Sequence, residues 1–290
     1  MRQAKKALYR VRNWSKYNAG LVKRGSLDLW IDEDTAKTWE SKTKTGERGR
    51  PEEYRDSWIE VILTLGMVYH QPLRQVTGLV KSLVKWLGWC EVKVPHFTTL
   101  SRRRKDLSIQ VSQRRFEGKI TVVVDSGGAK VYGEGEWKVR LHGKSKRRTW
   151  RKFHLAVEPE TLEILALEVS TNDVTDDEML PSVLEAIDKC IEIEQVCGDG
   201  GYDRTNSYQA IADHKAKAVI PPRKDAKIQQ HGNSNAPPLD RDQNLRRIRK
   251  IGRKRWKQEA LYHRRSLAET SVYRYKSTFG STLSSRLFPS

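Results

Sequence analysis

The 290-residue sequence is short of the features that build secreted, membrane-bound or zinc-stapled proteins. Its three cysteines, Cys90, Cys190 and Cys197, form no C-x-x-C pair. That excludes an even disulfide framework and a cysteine metal site, and it suits a reducing cytosol. Long apolar runs are missing too, since the most apolar stretch, Val61 to Tyr69, is far too short to span a bilayer. The opening MRQAKKALYRVRNW is basic but lacks the apolar centre of a signal peptide. No internal repeat is visible. A soluble protein, large enough for two modest domains or one large one, is expected.

Acid is also scarce relative to base. There are 36 Asp+Glu against 55 Lys+Arg, a formal charge of +19. Such an excess implies a polyanionic partner, nucleic acid before a membrane surface, because the basic runs lie beside Trp, Tyr and Gly rather than along an amphipathic helix.

What is present falls into three stretches. Residues 1–50 form a basic segment ending in a charged Gly/Pro link. Over 51–117 the apolar spacing becomes helical. Ile59, Ile62, Leu63 and Met67 mark one helix, and Leu73, Val76, Val80, Leu83, Val84 and Leu87 mark a second beyond Pro72. A short third helix follows Pro95, capped by Thr98 or Thr99, with Arg102 and Arg103 of SRRRK on its surface. Three short helices with a basic last one have the arrangement of a helix-turn-helix module that reads DNA. A small helical domain with a solvated basic face has the same pattern.

From residue 118 the pattern alternates strands and helices, as in a mixed α/β sheet with helices on its faces. ITVVVDSGG reads as a buried strand delivering Asp125 at its end, with Ser126 to Gly128 turning the chain. Two strands, about Arg151 to Val157 and Ile164 to Val169, join through Glu158-Pro159-Glu160. Before them, Arg140 to Lys152 carries seven Lys/Arg, Arg147 and Arg148 among them, and no acid. That loop reads as a phosphate-tracking surface or as a solvated hairpin end. Thr175 to Glu178 has the form of a capping box opening a helix to about Ile191. EQVCGDGGYD supplies a strand ending at Asp199, with Asp203 capping the next helix to about His214, and a further strand covers Ala218 to Ile220. A basic insertion spans about 221–260, and Arg241 to Arg265 hold eleven Lys/Arg against two acids. Dense base there reads as a DNA channel or as a linker.

The last stretch, YHRRSLAETSVYRYK, sets Tyr262, Arg265, Glu269 and Lys276 at offsets that return to one helix face. An Arg and a Glu four apart are also an ordinary solvated pair. If the strands of Asp125 and Asp199 run side by side and parallel, their carboxylates meet at one sheet end, where a helix brings in Glu269. Three oxygen ligands suit Mg²⁺ or Mn²⁺.

VVVDSGGAKVYGEGEWKVR, CGDGGYD and YHRRSLAETSVYRYK, in this order, resemble the signature of DDE-type insertion-sequence transposases of the insertion-sequence-five group. RGRPEEY and PHFTTLSRRRK are similar to the family's N-terminal region. The resemblance implies a ribonuclease-H-like catalytic domain over 118–290, preceded by a DNA-binding region. It places the metal-binding acids on Asp125, Asp199 and Glu269, and signature positions near the DNA ends on Tyr262, Arg265 and Lys276. It further implies cleavage at the element's terminal inverted repeats and joining to target DNA by two-metal phosphoryl transfer, with a homo-oligomer on paired ends in the bacterial cytoplasm at the nucleoid. FGSTLSSRLFPS departs from the helical tail of such proteins. Two alternatives follow: a catalytically impaired DNA-binding regulator from a truncated element, or a nuclease that uses the same acids without joining.

Overall fold

The computed structural model describes residues 14–27, 31, 33–41, 52–107, 116–131, 150–230 and 238–283. Arg147 and Arg148, with most of the basic loop, lie outside them. The chain forms two compact units, Met1–Ser108 and Ile109–Pro289.

The first unit is helical: α1 (Trp14–Arg24), α2 (Glu33–Lys37), α3 (Asp56–Val68), α4 (Leu73–Trp86) and α5 (Phe97–Arg103). Trp58, Ile59 and Ile62 of α3, Val76 and Val80 of α4 and Leu100 of α5 share one core. Pro72 takes the extended N-cap position of α4 and separates it from α3, as its missing N–H requires. The cap of α5 is His96 rather than Thr98 or Thr99. Its Nδ1 accepts from the Thr98 amide and lies 2.8 Å from the Thr98 hydroxyl, so the two threonines already belong to the first turn.

The second unit is built on β1 (Ile120–Val131), β2 (Trp150–Val157), β3 (Ile164–Thr171), β4 (Ile193–Cys197), β5 (Lys217–Val219) and β6 (Thr282–Leu283). The order is β3-β2-β1-β4-β5, with β6 also on β1. β1, β2 and β3 pair antiparallel, whereas β4, β5 and β6 join in parallel. Val122, Val124, Val196 and Ala218 pack on one face beneath α6 (Asp176–Glu185) and α7 (Thr205–Asp213). The opposite face carries Val123, Cys197 and Val219, covered by Trp256 and Ala268. Trp256 comes from α9 (Arg253–Glu259) and Ala268 from α10 (Ser266–Phe279), and Ile248 and Ile251 of α8 (Asp240–Ile251) pack beside them. The fold is therefore a mixed sheet between helix layers, ribonuclease-H-like.

Several boundaries depart from the sequence reading for identifiable reasons. β1 does not stop at Asp125, because Ser126, Gly127 and Gly128 continue the strand opposite His154, Phe153 and Lys152. A Cβ on Gly127 would come within 2.3 Å of the Phe153 ring, and one on Gly128 within 3.3 Å of Trp150. These glycines make room for aromatic rings lying across the strand. The capping box of α6 is present, Glu178 accepting from the Thr175 amide at 2.8 Å. The helix nevertheless ends at Glu185, and the chain then turns where the Cys190 amide donates to Asp188. The basic stretch after 238 is a packed helix layer, with Leu245 and Trp256 buried. It closes the sheet edge. Asp240 accepts from the Ala218 amide at 2.7 Å and Asn244 donates to the Ala218 carbonyl at 2.9 Å. Helix side chains thus satisfy backbone groups of β5 that would otherwise remain unpaired.

Candidate active site

Two parallel partners meet β1 at different heights. β4 pairs with it through Val123, and β6 picks it up at Lys130. Among the described residues no strand pairs with 124–129 along that edge, and Asp125 sits in the gap. It shares a face with Val123 and Ala129, the face covered by α8 to α10.

β4 leads Asp199 to the same place. Two residues past the strand, Asp199 caps the 3-10 turn Gly200–Tyr202, and its Oδ1 accepts from the Gly201 amide at 2.8 Å. Its Oδ2 remains turned toward the gap. Glu269 arrives from the first turn of α10. The expected continuous helical stripe from Tyr262 to Lys276 is corrected here: Leu261 adopts φ 52°, ψ 27°, and Tyr262–Arg265 form a separate 3-10 turn before α10 begins at Ser266. The left-handed residue separates this turn from α9.

One guanidinium connects the three acids. Arg265 Nη1 lies 3.9 Å from Asp125 Oδ1 and 4.0 Å from Asp199 Oδ2, while Nη2 is 2.5 Å from Glu269 Oε1. Acids from a strand, a strand end and a helix therefore face a single positive centre. Asp125 is the most enclosed, its side chain 17% exposed against 46% for Asp199 and 55% for Glu269. Burial raises the Asp125 carboxyl above its ordinary range, and the Asp199 and Glu269 charges push the same way. A backbone bond at Ser126 and the Arg265 charge oppose them.

The donor set fits a hard divalent cation, since each acid offers oxygen and Cys197 cannot compete. Burial pushes the Cys197 thiol up to about 12, which keeps it protonated. Among the described residues no group of three acids, histidines or cysteines is close enough to hold a metal as it stands. Arg265 occupies the space between the carboxylates, so an ion there requires that side chain to leave.

The other predicted residues separate. Tyr262 tilts against Trp256 at 6.1 Å, with the Lys257 ammonium 4.9 Å over its ring. Lys276 sits 5.6 Å over Phe153, the ring that covers Gly127. In the helical unit Arg102 is exposed. Arg103 is committed internally: it pairs with Asp56 and Glu52 and donates to the Tyr54 carbonyl. Asp203 does not cap α7. Its buried carboxylate binds the Tyr208 hydroxyl, the Arg223 amide and Arg241. Sequence reasoning missed Asp176, which the T-x-x-E pattern accounted for as part of a cap, and His154, which lies within an expected strand.

A sheet of this order, with acids supplied by β1, the end of β4 and a later helix, defines a ribonuclease-H-like class of protein. A family model described as a transposase DDE domain matches residues 117–288, and a second of the same description matches 22–134. The first covers more than half of the chain, which belongs to the DDE transposase family. Among solved structures, the Drosophila P element transposase strand transfer complex is 13% identical with a TM-score of 0.34. That match covers 70% of this chain and 47% of the other, so the chain spans about half the length of that transposase. The Mos1 mariner paired end complex with Mn is 10% identical with a TM-score of 0.24, covering 94% and 88% of the two chains. No described helix is long and apolar enough to cross a membrane.

Proposed function

We propose that the protein is a DNA transposase that cleaves at the ends of its element and joins them to target DNA, using Asp125, Asp199 and Glu269 to hold Mg²⁺ or Mn²⁺. The observation carrying this is that all three carboxylates lie within 4.0 Å of one guanidinium. When bound, a pair of such ions supplies Lewis-acid stabilisation of the attacking and leaving oxygens. The chain's own residues do the rest. Asp125 has the most enclosed position and anchors the centre, while Asp199 and Glu269 complete it. Once displaced, Arg265 has the planar fork for bidentate contact with a phosphate. Lys276 and Tyr262 are assigned as further phosphate contacts, and Arg102 offers charge on α5.

In the first step a water oxygen forms a bond to phosphorus and the DNA 3′ oxygen leaves. In the second, that 3′-OH attacks a target phosphate and a target 3′ oxygen leaves. The net charge of +19 suits a duplex, with a homo-oligomer pairing two ends. The test is incubation of purified protein with Mg²⁺ and duplex DNA carrying the sequences that flank the coding region. Nicking followed by joining is expected, and Asp125→Asn and Glu269→Gln are expected to do neither. Cleavage without joining identifies a nuclease instead; binding without cleavage identifies a DNA-binding regulator.

A further inference from the structure

Directly behind Asp125, on the opposite face of β1, lies a polar cluster that the proposed chemistry does not use. Alternation along the strand sends the Ser126 side chain away from the acids. Its hydroxyl donates to Asp176 Oδ2 at 3.0 Å. Asp176 is the first residue of α6. Its other oxygen, Oδ1, lies 3.5 Å from Lys152 Nζ and 3.7 Å from His154 Nδ1. Lys152 also donates to the Val174 carbonyl at 2.9 Å, tying β2 to the chain entering α6.

His154 stands opposite Ser126 in the β1–β2 register and is 1% exposed. Its Nε2 is 2.8 Å from the Ser170 hydroxyl, which itself donates to the Thr171 carbonyl. Both His154 Nδ1 and Asp176 Oδ1 are buried without a hydrogen-bond partner. Apolar residues would fill such a core position without that cost, so the polar groups call for a role beyond packing.

The sheet suggests the role. Among the described residues, 124–129 of β1 are paired by β2 along one edge only, because pairing with β4 ends at Val123 and pairing with β6 begins at Lys130. Asp125 thus sits in a stretch of β1 that β2 supports along a single edge. We propose that Ser126 and Asp176, backed by Lys152 and His154, are positioning residues that lock this half-paired segment against α6 and so fix the Asp125 carboxylate for its cation. This rests on the metal-binding reading of Asp125. It assigns to the far face of the strand the part that outer hydrogen-bond partners play at metal sites, where their loss typically weakens metal binding about 10- to 100-fold.

The test is Mn²⁺ binding to the full chain, titrated by electron paramagnetic resonance at a temperature where thermal melts show each variant folded. Ser126→Ala and Asp176→Ala are each expected to weaken binding about tenfold. The double variant should bind no more weakly than either single, because both remove one link. Ser126→Thr, which keeps the hydroxyl, should restore wild-type affinity. Unchanged affinity in Ser126→Ala, or losses that simply add in the double variant, would overturn the proposal. Asp125→Asn is the control. Should it too bind Mn²⁺ like the wild type, the metal reading of the acids fails, a result distinct from failure of the brace alone.

Discussion

The two faces of β1 around residues 125 and 126 hold similar chemistry under opposite conditions. On one face three carboxylates surround Arg265, and two of them are half open to solvent. On the other, Ser126 and His154 face Asp176 at the start of α6, and His154 is closed off from water. The exposed side can exchange its guanidinium for another cation at modest cost, because solvent screens the pairs it would break. The buried side cannot rearrange without stranding polar groups. A half-paired strand is thus adaptable where it meets ligand and fixed where it meets the core.

The largest effect that would sharpen this contrast belongs to the open face. Asp125→Asn should reduce metal-dependent strand cleavage about a thousandfold, the several kcal/mol that a bound cation contributes to transition-state stabilisation. Its melting temperature should not fall, since burial already disfavours the charged form of Asp125. Cleavage assays alongside calorimetry check both halves. A buried carboxylate elsewhere should behave in the reverse way. Asp203→Ala leaves the enclosed Arg241 with only the more distant Asp242 as a carboxylate partner and strips the Tyr208 hydroxyl and the Arg223 amide of theirs, and urea unfolding should register a loss of about 3 kcal/mol. A loss well under 1 kcal/mol would break the contrast.

Next comes the guanidinium itself. Two unit charges 4 Å apart interact by about 4 kcal/mol near a protein surface, less where solvent reaches them. With Asp199 and Glu269 half exposed, Arg265→Gln should tighten Mn²⁺ binding about tenfold, as titration would show, while weakening binding to duplex DNA. The smallest effect is a pH dependence on the closed face. Burial holds the His154 imidazole below its ordinary value of 6.5, with Lys152 adding to that and Asp176 opposing it. The unfolded chain therefore takes up a proton at a pH where the folded chain does not, and stability drops as pH falls below about 6.5. Thermal melts of His154→Gln should show a shallower decline over that range than those of the wild type.

Much of the site was legible because strand-borne acids leave local marks. The run of Ile120 and Val122 to Val124 before Asp125, and the short strand before Asp199, identify both positions, and β1 and β4 do run parallel. The capping box at Thr175 is a local signal as well. The failures depend on distant partners. Ser126-Gly127-Gly128 reads as a turn until Phe153 and Trp150 are known to lie across it. Asp203 reads as a cap until Arg241 arrives 38 positions later. Nothing near Arg103 announces that it binds Asp56 across the helical unit. The 3-10 turn that precedes α10 follows a left-handed backbone angle at Leu261, a residue type that carries no turn signal.

The most direct measurement is anomalous diffraction from crystals of the full chain soaked in Mn²⁺. The account predicts a peak about 2.1 Å from oxygens of Asp125, Asp199 and Glu269, with Arg265 withdrawn from between them. Manganese bound elsewhere, with Arg265 still among the three carboxylates at saturating metal, would contradict it.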